Sequence, residues 1–134
     1  DGCAAKGYRA IEPDNYDSYT RSKNLLTAGQ AKAYLTLLAT HAHSKNLAIG
    51  QKNTVELAGA RTAVGLDFAV AEECGQYDEC GDYVDAFGNN VIVIEYTDSG
   101  RRTACSQYGG TLSIVQRDVD VSVPGDPGYV RKTC

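Results

Sequence analysis

The chain has 134 residues, a hydrophobic share of 43%, a charged share of 22% and a net charge of -4. Those values suit one globular domain and exclude a disordered chain. No basic stripe exists to hold nucleic acid and no apolar run is long enough to cross a bilayer, so neither partner is expected.

In chain order, "DGCAAKG" reads as the last turn of a helix ended by Gly7. Five short apolar runs follow: "YRAI", "LAIG", "DFAVA", "VIVIEY" and "LSIVQ". Each lacks the alternation of a half-solvated strand, which predicts strands covered on both faces. Between the first two runs a helix is predicted from about Thr27 to Asn46. Thr27 and Gln30 form its capping box, and Ala31, Tyr34, Leu35, Leu38 and Ala42 its apolar stripe. "TVELAGARTAVG" predicts a shorter helix ended near Gly65. "GDYVDAFGN" predicts a third, with Asp82 as N-cap and Gly88 at its end, and "SGRRTACSQYGG" a fourth, closed by Gly109 and Gly110. Strict β-α alternation of this kind predicts an α/β fold with parallel strands and right-handed crossovers, in one domain over residues 1–134. The tail "PGDPGYVRKTC" reads as a turn-rich strap.

Cys74 and Cys80 enclose the polar loop "CGQYDEC", and the chain has no CxxC or HxxxH to complete a zinc site. A disulfide is expected there, and with it an oxidising, extracellular compartment. Five cysteines leave one over: a Cys105–Cys134 bond would pin the strap and leave Cys3 unpaired. His41 and His43, two apart on a predicted helix, point to nearly opposite sides and do not make a metal pair. GxSxG, P-loop and GxGxxG motifs are absent, and neither a metal nor a cofactor is expected.

Polar groups gather after the predicted strands: Glu12, Asp14 and Asn15, then Gln51, Lys52 and Asn53, then Glu72 and Glu73, then Glu95 and Tyr96, then Arg117, Asp118 and Asp120. In parallel α/β folds ligands bind at the carboxyl ends of strands. Asn15, Asn53 and Asp82 are equally at home as helix caps, and Asp118 and Asp120 as surface positions. Two carboxylates are harder to explain structurally. Asp14 follows Pro13, which must end the strand because it has no N–H for a ladder, and Glu72 directly follows "DFAVA". Paired carboxylates at neighbouring strand ends suit glycoside hydrolysis, one as general acid, the other as nucleophile or base.

"GYRAIEPDNYDSY", "KNLAIGQKNTVEL", "DFAVAEECGQYDEC" and "LSIVQRDVD" together resemble the endo-α-1,4-polygalactosaminidase-like glycoside hydrolases, glycoside hydrolase family 114, a group that includes spherulin-4-like proteins. The resemblance implies a (β/α)8 barrel of which this chain is the C-terminal portion, its five strands being the fourth to eighth. A half-barrel of that kind is expected to associate with a second copy or with the missing N-terminal half. An open three-layer α/β sheet is the alternative architecture. The resemblance further implies that Asp14 and Glu72 are catalytic and that Glu12, Asn15, Lys52, Asn53 and Tyr96 line a sugar site, to which Glu95 and Asp118 are added by their positions after strands. The implied substrate is an α-1,4-linked galactosamine polysaccharide, cationic when deacetylated and suited to an acidic cleft. The implied protein is secreted. The rival reading is a catalytically inactive secreted protein of the same family, with a carbohydrate-binding, defence or cytotoxic role.

Overall fold

A computed structural model describes all of residues 1–134. The chain opens on one helical turn, α1 (Gly2–Ala5), after which Gly7 takes φ +82°. Strand β1 (Ala10–Ile11) is only two residues long, because Pro13 cannot continue the ladder. A short α2 (Ser18–Arg21) leads to α3 (Ala28–Ser44). The predicted capping box is present: Gln30 N donates to Thr27 Oγ1 at 3.2 Å, and Thr27 N donates to Gln30 Oε1 at 2.9 Å. Leu35, Ala39 and Ala42 bury the inner face of α3, whereas Tyr34 stays exposed.

Strand β2 (Ala48–Lys52) follows, then a 3-10 stretch over Val55–Ala60, α4 (Arg61–Val64) and β3 (Phe68–Glu72). The single helix predicted over this stretch is therefore two pieces. Asn53 and Thr54 both take left-handed conformations, so neither starts a regular α-helix. The predicted end at Gly65 holds, with φ +88°.

The chain continues through α5 (Cys74–Tyr77), α6 (Cys80–Phe87), β4 (Val91–Glu95), α7 (Asp98–Tyr108), β5 (Ser113–Arg117) and β6 (Arg131–Thr133). Helix α6 starts at Cys80 with Glu79 as its N-cap, so Asp82 is not the cap; it lies in the first turn, where a carboxylate complements the helix dipole. The tail is more than a strap. Strand β6 pairs antiparallel with β5, Gln116 opposite Lys132, and Lys132 Nζ reaches Asp98 Oδ1 at 3.1 Å.

The strands run in the order β1-β2-β3-β4-β5-β6 in a mostly parallel sheet. This order has no reversal, and so no switch point of the doubly wound kind. The chain divides into two compact units, Asp1–Ala69 and Val70–Cys134, the boundary falling inside β3. In the first unit β1 and β2 pair in parallel, Ile11 opposite Ile49, over a core of Leu35, Leu47, Ile49, Leu57, Val64 and Leu66. In the second, β4 and β5 pair in parallel, and Phe87, Val91, Val93, Ala104 and Ile114 are sealed from solvent. Disulfides join Cys74 to Cys80 and Cys105 to Cys134, and Cys3 is an exposed free thiol. His41 pairs with Asp1 and His43 with Asp67, in keeping with surface roles. No helix is long and apolar enough to cross a membrane.

Candidate active site

In the first unit the polar groups collect where β1 and β2 end. After Pro13, Asp14 Oδ1 accepts from Asn15 N at 2.7 Å, and Asn15 turns through φ +61°. That turn sends Tyr16 inward, where its O–H donates to Gly50 O at 2.5 Å. Burial, assisted by the charge of Glu12, pushes the Tyr16 hydroxyl far above its ordinary range, so it remains a donor at any physiological pH. Gly50 is fitted to this place, because a Cβ there would run into the ring of Phe68.

Lys52, at the end of β2, sets its Nζ 3.6 Å from Glu12 Oε1 and 3.7 Å from Asp14 Oδ1. These separations make charge pairs, longer than the best hydrogen bonds. The lysine side chain is only 12% exposed while that of Asp14 is 61% exposed, so a mostly covered cation stands behind an accessible carboxylate. Asp14 also lies on the rim of a hollow of about 300 Å³ walled by Tyr19, Leu26, Tyr34 and Leu38. Beneath the cluster, fully buried Gln51 donates from Nε2 to Asn53 O at 2.8 Å and to Thr54 O at 2.9 Å. Those two bonds hold a left-handed pair that includes the β-branched Thr54, a conformation disfavoured in isolation.

In the second unit Glu72 ends β3, and the Tyr96 O–H donates to Glu72 Oε1. Burial first, and the bond to Glu72 second, push the Tyr96 hydroxyl far above its ordinary range. Glu73 follows with φ +59°, and its N–H donates to Ile94 O at 2.8 Å. Gly75 N then donates to Glu95 Oε1 at 2.7 Å. Glu95 is completely buried, and its Oε2 has no hydrogen-bond partner. Burial raises its carboxyl above the usual range, and the amides of Gly75 and Gln76 partly offset that. The Cys74 and Cys80 sulfurs and a Glu95 oxygen lie within 4.8 Å of one another. Both sulfurs are consumed in the disulfide, so this trio does not offer a metal its thiolates.

Asp118, beyond β5, has its carboxylate occupied by Ser122 N at 2.8 Å and Val130 N at 3.1 Å. These two amides hold it down to about 2. Its neighbour Arg117 donates to Val130 O at 2.9 Å and Ser122 O at 2.7 Å.

The expected residues thus sort into groups. Glu12, Asp14 and Lys52 are brought together, with Asn15 shaping the turn beside them. Glu72 and Tyr96 form a second group. Asn53 contributes a backbone oxygen to the loop. Glu95 and Asp118, the two residues added to the expected sugar site by their positions after strands, hold backbone amides of their own unit. Tyr16 is the residue that the sequence reading misses, its only signal being an aromatic just after "EPDN"; Gln51, read among the polar groups at the end of its strand, lies buried beneath them and holds the loop.

Three comparisons with known proteins bear on this arrangement. The family model described as glycoside-hydrolase family GH114 matches residues 1–134. Among solved structures, the crystal structure of Aspergillus fumigatus Ega3 in complex with galactosamine superposes with a TM-score of 0.79 at 27% identity. The match covers 98% of this chain and 56% of that one, so the chain spans about half the length of the solved relative. No curated protein matches.

Proposed function

The chain belongs to glycoside-hydrolase family GH114, and from that premise we propose that it serves hydrolysis of galactosamine-containing polysaccharide, with Asp14 and Glu72 as the two carboxylates. The observation that carries this reading is the different treatment of the two acids. Asp14 is accessible and paired with the Lys52 cation, an open position suited to a nucleophile or base. Glu72 sits under a hydroxyl that does not ionise. As a general acid delivers its proton to the leaving oxygen, negative charge develops on its carboxyl, and the waiting Tyr96 O–H stabilises that charge where it forms. Environments that treat two carboxylates differently are what a two-carboxylate glycosidase requires.

The substrate class is supported by the galactosamine in the solved relative and by the acidic character of the first cluster, where Glu12 and Asp14 outnumber Lys52. An amino sugar carrying a cation is favoured by that local charge. Two disulfides support an extracellular setting.

The test is release of reducing ends from a deacetylated α-1,4-galactosamine polymer by the wild type, Asp14→Asn and Glu72→Gln. The wild type should release sugar, and either substitution should lower the rate by about 10²–10⁴-fold with polymer binding retained. Undiminished turnover in either variant would remove that residue from the mechanism. Binding without turnover in the wild type would leave a carbohydrate-binding protein of the same family.

A further inference from the structure

Glu95 is the only carboxylate in the chain withdrawn completely from solvent. One of its oxygens has no partner, which makes the position costly: an apolar side chain of similar volume would avoid the desolvation of a charged group. Its surroundings are nevertheless shaped to keep it. Gly100, in the first turn of α7, has no Cβ where one would overlap Glu95 Oε2, and Gly75 allows α5 to approach Gly100 and Ala104 closely.

What the side chain holds is the turn that carries Glu72. Three consecutive residues at the end of β4 grip it. Ile94 O accepts from Glu73 N, the Glu95 carboxylate accepts from Gly75 N, and Tyr96 donates to the Glu72 carboxylate itself. The turn needs such support, because Glu73 is a non-glycine residue in the left-handed region. The Cys74–Cys80 bond ties α5 to α6 and spans neither Glu72 nor Glu73.

We propose that Glu95 is a positioning residue for Glu72, its buried carboxylate fixing the β3–α5 turn so that the Glu72 carboxyl meets the Tyr96 hydroxyl. Glu95 touches no substrate in this role. The proposal rests on the reading of Glu72 as a catalytic carboxylate for its consequence on rate, though not for its consequence on geometry.

The experiment compares Glu95→Ala, Glu95→Gln and Gly100→Ala in the full chain by two readouts, carbon-13 carboxyl NMR titration of Glu72 and steady-state hydrolysis. In Glu95→Ala the Glu72 midpoint should move by about half a pH unit or more as the Tyr96 contact loosens. In the same variant kcat should fall roughly 10–100-fold with KM little changed. Glu95→Gln keeps an oxygen to accept from Gly75 N and should restore both. Gly100→Ala displaces the Glu95 carboxylate without removing it and should reproduce the alanine variant in milder form. A Glu72 titration unchanged in folded Glu95→Ala overturns the proposal, as does failure of Glu95→Gln to restore it. Should Glu95→Ala not fold, the contrast between Glu95→Gln and Gly100→Ala decides by the same criterion. Absent turnover in the wild type would sink the catalytic reading alone, since the Glu72 titration still reports on Glu95.

Discussion

Two glycines in the first turns of two helices should respond to the same substitution with opposite signs. Gly29 lies in the first turn of α3, where an added Cβ would meet nothing nearer than Thr27 Oγ1 at 3.8 Å. Gly29→Ala therefore removes backbone freedom from the unfolded chain at no steric cost and should stabilise by about 0.5–1 kcal/mol. Gly100 occupies the comparable turn of α7, but its added Cβ would fall on Glu95 Oε2, 3.1 Å from Glu95 Cδ and 3.2 Å from Gln76 Cβ. Neither neighbour has an easy retreat, since Glu95 is sealed in and bonded to Gly75 N. Overpacking of a tight site costs roughly 1–3 kcal/mol, and the helix-propensity gain returns at most about 1, so a net loss near 1–2 kcal/mol is expected for Gly100→Ala. Urea unfolding at unchanged slope would show the two midpoints moving apart, and thermal midpoints should separate by about 5–10 °C for a domain of this size. Equal or increased stability of Gly100→Ala would refute the account of the Glu95 pocket. Destabilisation by Gly29→Ala would refute the assignment of open space at α3.

Replacing Cys105 and Cys134 together by alanine should cost about 3–4 kcal/mol, the chain-entropy value for their sequence separation of 29, and should abolish amide protection in β6. Asp118 has a folded-state value of about 2, below the roughly 3.9 of an unfolded aspartate, so what it contributes is complete above about pH 4 and lost as pH falls through 2. The amide resonances of Ser122 and Val130 should accordingly stay fixed from pH 6 to pH 4 and titrate together near pH 2, and Asp118→Asn should eliminate that step. Tyr96→Phe removes the donor to Glu72 and should lower kcat by about 10-fold or more, with KM little affected; a change confined to KM would make Tyr96 a binding group instead.

The elements legible in the sequence are those whose reasons are local. Thr27 and Gln30 announce the start of α3 because a capping box is complete within four residues, and Gly65 and Gly88 mark ends because glycine readily takes the positive φ found there. Elements held from a distance left no such trace. Strand β6 is three exposed residues with no apolar periodicity, stabilised by the bond to Cys105 and by Lys132 reaching Asp98. Helix α5 is a single turn whose first amides are satisfied by a carboxylate twenty residues on. Thr54 runs against the local preference of a β-branched residue, and the buried amide that holds it is recognisable only once folded.

The same division governs the candidate site. The end of a strand at Pro13 and the acids beyond it can be read from sequence, because proline's missing N–H acts where it stands. Whether an acid faces solvent or serves the backbone cannot, because that depends on which amides fold against it. Asp14 and Asp118 both follow strands, yet one is open beside Lys52 and the other is closed over Ser122 and Val130.

Cys3 has a practical consequence for studies of assembly. It is an exposed thiol on a chain whose other four cysteines are oxidised, so two copies can become linked through it in air without any surface recognising another. A dimer seen on a sizing column is informative about noncovalent association only after alkylation, or in Cys3→Ser. The same thiol offers a single attachment point for a fluorophore on α1, provided labelling is carried out without a reductant that opens the two bridges.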